Sequence, residues 1–112
     1  MGEGARVVHS IITEGCTIRG TVENSVLSPS VKVETGAKVS YSVLMPGAVV
    51  EDGAVVRYAI LGENTVVKSG AVVGSEPDGS EDWSVATVGP GVTVGSGKVV
   101  PAGAMIKSDE EV

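Results

Sequence analysis

Residues 44–56 read LMPGAVVEDGAVV, in which the phrase aliphatic-x-x-Gly-Ala-Val occurs twice. From Leu27 to Val73, aliphatic residues recur at spacings of six, six and five, which together form a unit of 17 residues, and from Val88 to Ile106 they recur at a spacing of six. An α-helix would scatter residues six apart around its axis, and the many glycines and valines disfavour a helix further. The repeat therefore predicts three short strands in each unit. The recurring positions are Leu27, Val33, Val39, Leu44, Val50, Val56, Leu61, Val67, Val73, Val88, Val94, Val100 and Ile106.

Three strands separated by corners would bring the chain back to its starting side one rung higher. The predicted fold class is all-β: a left-handed parallel β-helix, that is, a hexapeptide-repeat solenoid with triangular coils. In each six-residue side, the aliphatic residue and the small residue four positions later should point inward. In the five-residue side the same rule places Val43 and Ile60 inside. We expect that corner to be the fullest of the three.

The residue between the two inward positions of a six-residue phrase is glycine, or in one phrase asparagine. A sharp corner requires a positive φ, which glycine adopts freely and asparagine tolerates best among the other residues. A phosphate-binding loop is the alternative interpretation, but corner geometry accounts for all of these positions together. They are Gly15, Gly36, Gly47, Gly53, Asn64, Gly70, Gly91, Gly97 and Gly103.

The repeat is broken twice. Val22 follows Ile18 by only four residues, so this side is shortened. After Val73 the pattern resumes at Val88, which indicates about ten inserted residues and a turn-rich loop at about 74–86. We interpret Trp83 as a plug that packs the loop onto a coil. The acids of the loop are interpreted as a solvated tip, because their spacing matches no calcium loop; they are Glu76, Asp78, Glu81 and Asp82.

The residue before each inward aliphatic residue should face solvent, yet it is valine in the third and fourth units. The 17-residue period stacks Val49 on Val66 and Val55 on Val72, which makes two apolar ladders on the outer walls. Strand propensity accounts for part of this excess, and contiguous exposed apolar residues usually mark interfaces. We therefore predict that these four valines face another domain or subunit.

Composition limits the classes of function. The chain has 112 residues, a net charge of −6 and a pI near 4.6. Proteins that bind nucleic acids or anionic membranes normally present a basic face, so the acidic balance argues against both. The single cysteine cannot form an internal disulfide, and neither a secretory signal nor a membrane-spanning apolar run is present. We expect a cytoplasmic protein with no nucleic-acid or membrane partner.

Few residues could carry chemistry. His9 is the sole histidine, which excludes a three-histidine zinc site, and its place before the first full strand favours a structural role over that of a lone base. Cys16 occupies the small inward position of its phrase, which favours a core residue over a nucleophile. The sequence predicts no catalytic residue, no metal ligand and no cofactor on this chain.

Residues 22–67, VENSVLSPSVKVETGAKVSYSVLMPGAVVEDGAVVRYAILGENTVV, resemble the carboxy-terminal domain of bacterial glucose-1-phosphate adenylyltransferase, the ADP-glucose pyrophosphorylase of glycogen synthesis. The Asn-Ser-Val-Leu start, the Ser-Val-Leu-Met-Pro segment and the Ala-Ile-Leu coil with its asparagine corner carry the resemblance. It implies that residues 1–112 are a single β-helix domain, a fragment without the family's amino-terminal nucleotidyltransferase domain. The intact enzyme would make ADP-glucose and pyrophosphate from ATP and glucose 1-phosphate with Mg²⁺.

The resemblance further implies that the β-helix helps to assemble and regulate an oligomer. Its partners would be the chain's own catalytic domain, sister subunits and a phosphorylated metabolite effector. The family often places effector-binding cations in the corner after the Ala-Ile-Leu coil and in the strand after the insertion, where this chain has residues 62–64 (Gly-Glu-Asn) and Pro90. The nearest cations, Arg57, Lys68 and Lys98, are therefore the candidate effector-binding residues.

Other functions remain open from the sequence. A small hexapeptide acyltransferase would bind coenzyme A. A structural, self-assembling β-solenoid would form filaments that depend on concentration. The parent protein could also be another sugar-phosphate nucleotidyltransferase, such as a mannose-1-phosphate guanylyltransferase.

Overall fold

The computed structural model describes residues 6–76 and 84–107, and every regular element in these two ranges is a β-strand of two or three residues. No helix in the same ranges is long and apolar enough to cross a membrane. The strands are β1 (Arg6–Val8), β2 (Ile11–Ile12), β3 (Thr17–Ile18), β4 (Thr21–Glu23), β5 (Val26–Leu27), β6 (Lys32–Val33), β7 (Lys38–Ser40), β8 (Val43–Leu44), β9 (Val49–Val50), β10 (Val55–Arg57), β11 (Ala59–Leu61), β12 (Val66–Val67), β13 (Val72–Val73), β14 (Ala86–Val88), β15 (Thr93–Val94), β16 (Val99–Val100) and β17 (Met105–Ile106).

The strands form three parallel sheets, because every third strand returns to the same side of the molecule. Sheet A contains β1, β4, β7, β10, β13 and β16 in spatial order; sheet B contains β2, β5, β8, β11, β14 and β17; sheet C contains β3, β6, β9, β12 and β15. Each turn of the chain adds one strand to each sheet. This architecture is the predicted left-handed parallel β-helix with triangular coils.

In the central coils, residues that lie 17 positions apart in the sequence pair in neighbouring strands. Val56 pairs with Val39 on one side and Val73 on the other, and Leu61 pairs with Leu44. Burial of each valine or leucine contributes about 1.5–3 kcal/mol relative to exposure, so stacked aliphatic columns hold the fold together without aromatic bulk. The columns with at most 1% exposure are Val22, Val39, Val56, Val73 and Val100 in sheet A; Leu27, Leu44, Leu61 and Val88 in sheet B; and Ile18, Val33, Val50, Val67 and Val94 in sheet C.

The predicted glycine corners are confirmed. All eight corner glycines have φ between +70° and +78°, and Asn64 has φ +56°. A Cβ built on Gly53 would meet no atom within 4 Å, so its backbone conformation and not a lack of space requires glycine there. Ser30 turns the corresponding corner of its own coil at φ +65°, where the sequence offers no glycine.

The corner between sheets A and B corrects one prediction. Placing Val43 and Ile60 inside is wrong: both are half-buried on the outer face, whereas the residues before them, Ser42 and Ala59, are buried. The cause is a residue of positive φ that turns the chain one position earlier than the sequence rule assumes. This corner is therefore lined by small side chains and is not the fullest of the three. The turning residues are His9, Asn24, Tyr41 and Tyr58, with φ between +45° and +49°.

A ladder of serine hydroxyls holds this corner, which we call the serine corner. The Oγ of Ser42 donates to the carbonyl of Ser40 at 2.8 Å and accepts the backbone N–H of Ala59, in the next coil, at 3.2 Å. One coil earlier, Ser25 accepts the N–H of Ser42 at 3.1 Å, and Ser10 accepts the N–H of Ser25 at 3.0 Å. Side chains thus satisfy buried amides that the strand ladders leave unpaired at the turn.

The shortened side is confirmed in the first full coil. Thr21 pairs with Lys38, so Gly20 takes the inward place that Ala37 has in the next coil. A Cβ on Gly20 would collide with the carbonyl oxygens of Ala37 and Glu34. Only glycine therefore fits at this position, where the backbones of the two coils approach each other closely.

The insertion is confirmed by the register. Ala59 pairs with Ala86, ten residues beyond the 17-residue repeat, and Val72 pairs with Val99 at the same offset. Because β14 begins at Ala86, the loop ends one residue earlier than predicted. Of the four acids, Glu76 is exposed. Trp83 and the acids Asp78, Glu81 and Asp82 lie outside the described residues.

Candidate functional site: an apolar outer wall

The four valines predicted to face an interface all lie on the outer surface. Val49 pairs with Val66 in sheet C and Val55 with Val72 in sheet A, so both predicted ladders are present. Each of the four is half-buried. In sheet C the ladder is bounded by a lysine on one side and a threonine on the other, so its apolar run covers two strands.

The outer column of sheet B is longer and more apolar. Each of its six strands contributes one outward residue in continuous register, and none of these residues is charged. By contrast, the outer column of sheet A contains Arg6 and Lys38, and that of sheet C contains Lys32. Ile11 is 63% exposed and Met105 is 67% exposed, so both ends of the sheet B column are open. The column consists of Ile11, Val26, Val43, Ile60, Thr87 and Met105.

The serine corner extends this surface. The rings of Tyr41 and Tyr58 stack in parallel, with centroids 4.8 Å apart and 4° between planes, and Tyr41 is 52% exposed. Of the seven large hydrophobic side chains that are exposed among residues 6–76 and 84–107, six lie in the column or beside it. We call the sheet B column together with Tyr41, Met45, Tyr58 and Val85 the apolar wall.

Sequence reasoning missed the apolar wall because it placed Val43 and Ile60 inside the solenoid. A signal for the correct register is nevertheless present. Serine immediately precedes Ile11, Val26 and Val43, and in each case the serine is the inward residue of the pair. A serine that recurs with the coil period next to an aliphatic residue therefore marks an outward aliphatic column at this corner.

The three candidate effector-binding cations lie on different elements. The Nε of Arg57, at the end of β10, donates to the carbonyl of Gly74 at 3.4 Å. The Nζ of Lys68, just after β12, forms an ion pair with Glu51 at 3.6 Å. Lys98 precedes β16, at the far end of sheet A. Phosphate recognition needs converging cations, and these three do not share one corner, so their role stays a prediction.

Two other cations share a groove on the outer face of sheet A. Arg6, Thr21 and Lys38 are neighbours on adjacent strands, so the two charges flank a hydroxyl. The groove, of about 340 Å³, is also lined by Glu23 and Ser40. Because the carboxylate of Glu23 lies beside the two cations, the groove carries charges of both signs. Sequence reasoning did not join Arg6 to Lys38, because the shortened coil between them changes the repeat length.

The residues that could support catalysis are separated. His9 is exposed at the turn after β1. Cys16 is partly buried against the core, as predicted, and its Sγ donates to the carbonyl of Ser28 at 3.2 Å. Within the described part of the chain, no three His, Cys, Asp or Glu side chains come together as a metal site would require.

The six-residue period, the positive-φ corners and the three parallel sheets define a hexapeptide-repeat β-helix protein. Residues 1–95 match the family described as GlmU-like, C-terminal hexapeptide. The chain belongs to this family.

Known proteins are similar to parts of the chain. Glucose-1-phosphate adenylyltransferases from two strains of Clostridium botulinum, Eklund 17B and Alaska E43, are 58% identical over 33 residues, which is 30% of this chain and 8% of each relative. The glycogen biosynthesis protein GlgD of Geobacillus stearothermophilus is 55% identical over 38 residues, 34% of this chain and 11% of the relative. The matches therefore span about a tenth of these relatives.

Among solved structures, a hexapeptide transferase family protein from Anaplasma phagocytophilum aligns with 94% of this chain and 79% of its own. The identity is 12% and the TM-score is 0.39.

Proposed function

We propose that this chain is a noncatalytic assembly and regulatory domain of a nucleotidyltransferase that makes ADP-glucose for glycogen synthesis. The observation that carries the proposal is the apolar wall, whose sheet B column is uncharged and exposed at both ends. A contiguous exposed surface of this kind usually marks a contact with another protein surface. The similarity to glucose-1-phosphate adenylyltransferases and to GlgD supports the choice of parent protein.

The proposed occupant of the apolar wall is the nucleotidyltransferase domain of the same enzyme. Six strands spaced about 4.8 Å apart make the sheet B column of the apolar wall about 24 Å tall. A column of that height, even with its few flanking side chains, is smaller than the roughly 800 Å² that each partner buries in a stable interface. Contacts with sister subunits would therefore add the valine ladders formed by Val49 with Val66 and Val55 with Val72.

In this proposal the enzyme is cytoplasmic, and ATP, glucose 1-phosphate and Mg²⁺ bind to the nucleotidyltransferase domain. Arg57, Lys68 and Lys98 would meet a phosphorylated effector only where a partner surface supplies further cations. Lys68 already shares its charge with Glu51, which supports that restriction.

The test is a chimera in which this chain replaces the 112-residue segment of the Clostridium botulinum glucose-1-phosphate adenylyltransferase that contains the 33-residue match. We expect the chimera to recover the oligomeric mass and the rate of ADP-glucose formation that the enzyme loses when the segment is deleted. The substitutions Ile11→Lys and Val26→Lys together should return both measurements to those of the deleted enzyme. A chimera no better than the deleted enzyme would contradict the proposal, as would coenzyme A binding by the chain in calorimetry.

Two control variants separate the surfaces. Val99→Lys adds a charge at an apolar side chain that is 64% exposed on sheet A, away from the apolar wall, and should leave the rate unchanged. Val49→Lys with Val66→Lys should leave the domain folded by circular dichroism and lower the oligomeric mass. If this pair unfolds the domain, the two valines are not outer residues.

A further inference from the structure

The outer face of sheet C carries two parallel columns of side chains. At the centre of the first column, Val49 on β9 pairs with Val66 on β12. Side chains alternate between the two faces of a strand, so the second column lies two residues further along the chain. Its central residues are Glu51 and Lys68, which form an ion pair at 3.6 Å. An apolar pair and a charged pair therefore lie side by side at the centre of this face.

The order of these residues makes the face complementary to itself. Consider a second copy related by a two-fold axis that runs along the strand direction, between β9 and β12. The two sheet C faces would then meet with their solenoid axes antiparallel. Val49 would lie opposite Val66 of the second copy, and Glu51 opposite its Lys68. Each of these contacts occurs twice, as in any two-fold interface.

The charged residues would form a quartet in this arrangement. The side chains of Glu51 and Lys68 are 31% and 45% exposed, so both can extend away from the sheet. Facing sheets lie about 10 Å apart, which allows a lysine and a glutamate from opposite faces to meet. Every charge of the quartet would have one opposite charge beside it in its own copy and another across the interface.

The rim of the contact fits the same arrangement. Lys32 on β6 is the neighbour of Val49, and Thr93 on β15 is the neighbour of Val66. Lys32 is exposed and would lie opposite Thr93 of the second copy, where its charge can keep water. The contact therefore uses β6, β9, β12 and β15, and β3 lies outside it.

Other arrangements lack this complementarity. A two-fold axis parallel to the solenoid would place the valine column of sheet C opposite the charged column of the second copy. On sheet A, an antiparallel contact centred on Val55 and Val72 would place Lys38 opposite Val99. A charge packed against apolar side chains loses water without gaining a partner. Of the two valine ladders, the one on sheet C is therefore the one that fits a second copy of itself.

We propose that two copies of this chain associate through sheet C around a two-fold axis, with antiparallel solenoids and a quartet formed by Glu51 and Lys68 of each copy. The proposal rests on the proposed function, which assigns this ladder to sister subunits, and adds how the two subunits meet. Four strands span only about 14 Å, so the face is smaller than the roughly 800 Å² that each partner buries in a stable interface. We therefore expect a weak dimer of the chain by itself.

The test is charge exchange in the 112-residue chain, with dimerisation measured by sedimentation equilibrium over increasing concentration. Glu51→Lys and Lys68→Glu each turn the quartet into four like charges. We expect each variant to dimerise about tenfold more weakly than the wild type, or worse. An equimolar mixture of the two should recover dimers, because every lysine of one variant would then lie opposite a glutamate of the other.

Two controls match these changes in net charge. Glu14→Lys changes an exposed corner residue, and Arg19→Glu changes an exposed residue that follows β3, outside the contact. Both should dimerise like the wild type. The proposal would be overturned by a wild type that stays monomeric at every concentration, by a mixture no more associated than its separate variants, or by equal losses in the controls.

The orientation is tested with Lys32→Cys and Thr93→Cys and a bifunctional thiol reagent whose reach is about 10 Å, the spacing of facing sheets. The two introduced thiols lie opposite each other in the antiparallel dimer, whereas two copies of Lys32→Cys are offset by about 14 Å along the solenoid. We expect cross-linked dimers from the mixture and not from either variant alone. The wild type, whose thiol is Cys16, gives the background.

Cross-linking of Lys32→Cys with itself as readily as with Thr93→Cys would exclude the antiparallel arrangement. These measurements use the chain without a nucleotidyltransferase domain. A chimera that fails to recover enzyme activity would therefore leave the dimer result standing, and a chain that fails to dimerise through sheet C would leave the role of the apolar wall standing.

Discussion

The glycine corners and the serine corner turn the chain in two different ways. At the corner of Gly53 the bond between coils is made by the backbone, because the N–H of Gly53 donates to the carbonyl of Thr35 in the preceding coil at 3.2 Å. At the serine corner a side chain carries a bond between coils, since the hydroxyl of Ser42 accepts the N–H of Ala59. The first bond does not depend on a side chain, and the second does. A side-chain substitution should therefore leave the neighbouring coils unchanged at the corner of Gly53 and disturb the next coil at the serine corner.

The largest effect on stability is expected at the shortened side, which has neither a positive-φ glycine corner nor a serine hydroxyl that bonds to the next coil. Gly20→Ala would push a Cβ into the carbonyl oxygens of Ala37 and Glu34, and backbone atoms cannot rotate away. We expect a loss of about 3 kcal/mol in the free energy of unfolding, at the upper end of overpacking effects. Urea unfolding measures it. Gly36→Ala is the control, because its nearest neighbour would be 3.7 Å away, and an equal loss in both variants would show that the shortened side is not tight.

Ser42→Ala should have the next largest effect. It leaves the N–H of Ala59 buried without a partner, which costs about 2 kcal/mol. Amide hydrogen exchange at Ala59, in the following coil, should become faster. Ser40→Ala, at a half-buried outer position, is the control and should change neither measurement. Unchanged protection of the Ala59 amide would mean that the serine ladder does not couple the coils.

A smaller effect is expected for Gly53→Ala, because the space around this glycine is open and only the left-handed backbone is penalised. The expected loss is about 1 kcal/mol. Gly53→Asn should lose less, since Asn64 has the same kind of conformation at φ +56°. Thermal unfolding gives the order of the two variants, and amide exchange in the neighbouring coils should stay unchanged. Faster exchange there would remove the distinction between the two kinds of corner.

The smallest effect is expected for Val43→Lys, which tests the register of the serine corner. Val43 is half-buried on the outer face, so the lysine can reach water and stability should change by less than about 0.5 kcal/mol. Leu44→Lys, at the adjacent buried position with 0% exposure, should unfold the domain. The two variants are compared by circular dichroism. Unfolding of Val43→Lys would instead support the register predicted from the sequence.

The fold was predictable because its main signal is a period. Corner glycines recur with a fixed spacing, and positive φ is a demand that few residues other than glycine meet. The five-residue side carries a weaker signal, since both Ser42 and Val43 could fill the inward place and hydrophobicity favours the wrong one. A buried serine is stable there only because two hydrogen bonds satisfy it, and one of them comes from a residue 17 positions away.

The candidate site was less predictable than the fold because it depends on that register. The inward residue at the serine corner lies one position earlier than the sequence rule places it. Val43 and Ile60 therefore face outward and belong to the apolar wall. The valine ladders, which lie on six-residue sides, were located correctly by their period alone. The distribution of cations could not be derived in the same way, because whether Arg57, Lys68 and Lys98 converge depends on which strands become neighbours.

The intact register on both sides of the insertion has an evolutionary consequence. Ala59 and Ala86 pair as neighbouring coils do elsewhere, although 27 residues and not 17 separate them. Closing the longer loop costs only about 0.4 kcal/mol more than closing the shorter one. A lineage could therefore lengthen, shorten or exchange this excursion without altering the coils around it. New binding specificities can arise at this point of the scaffold while selection on the core continues unchanged.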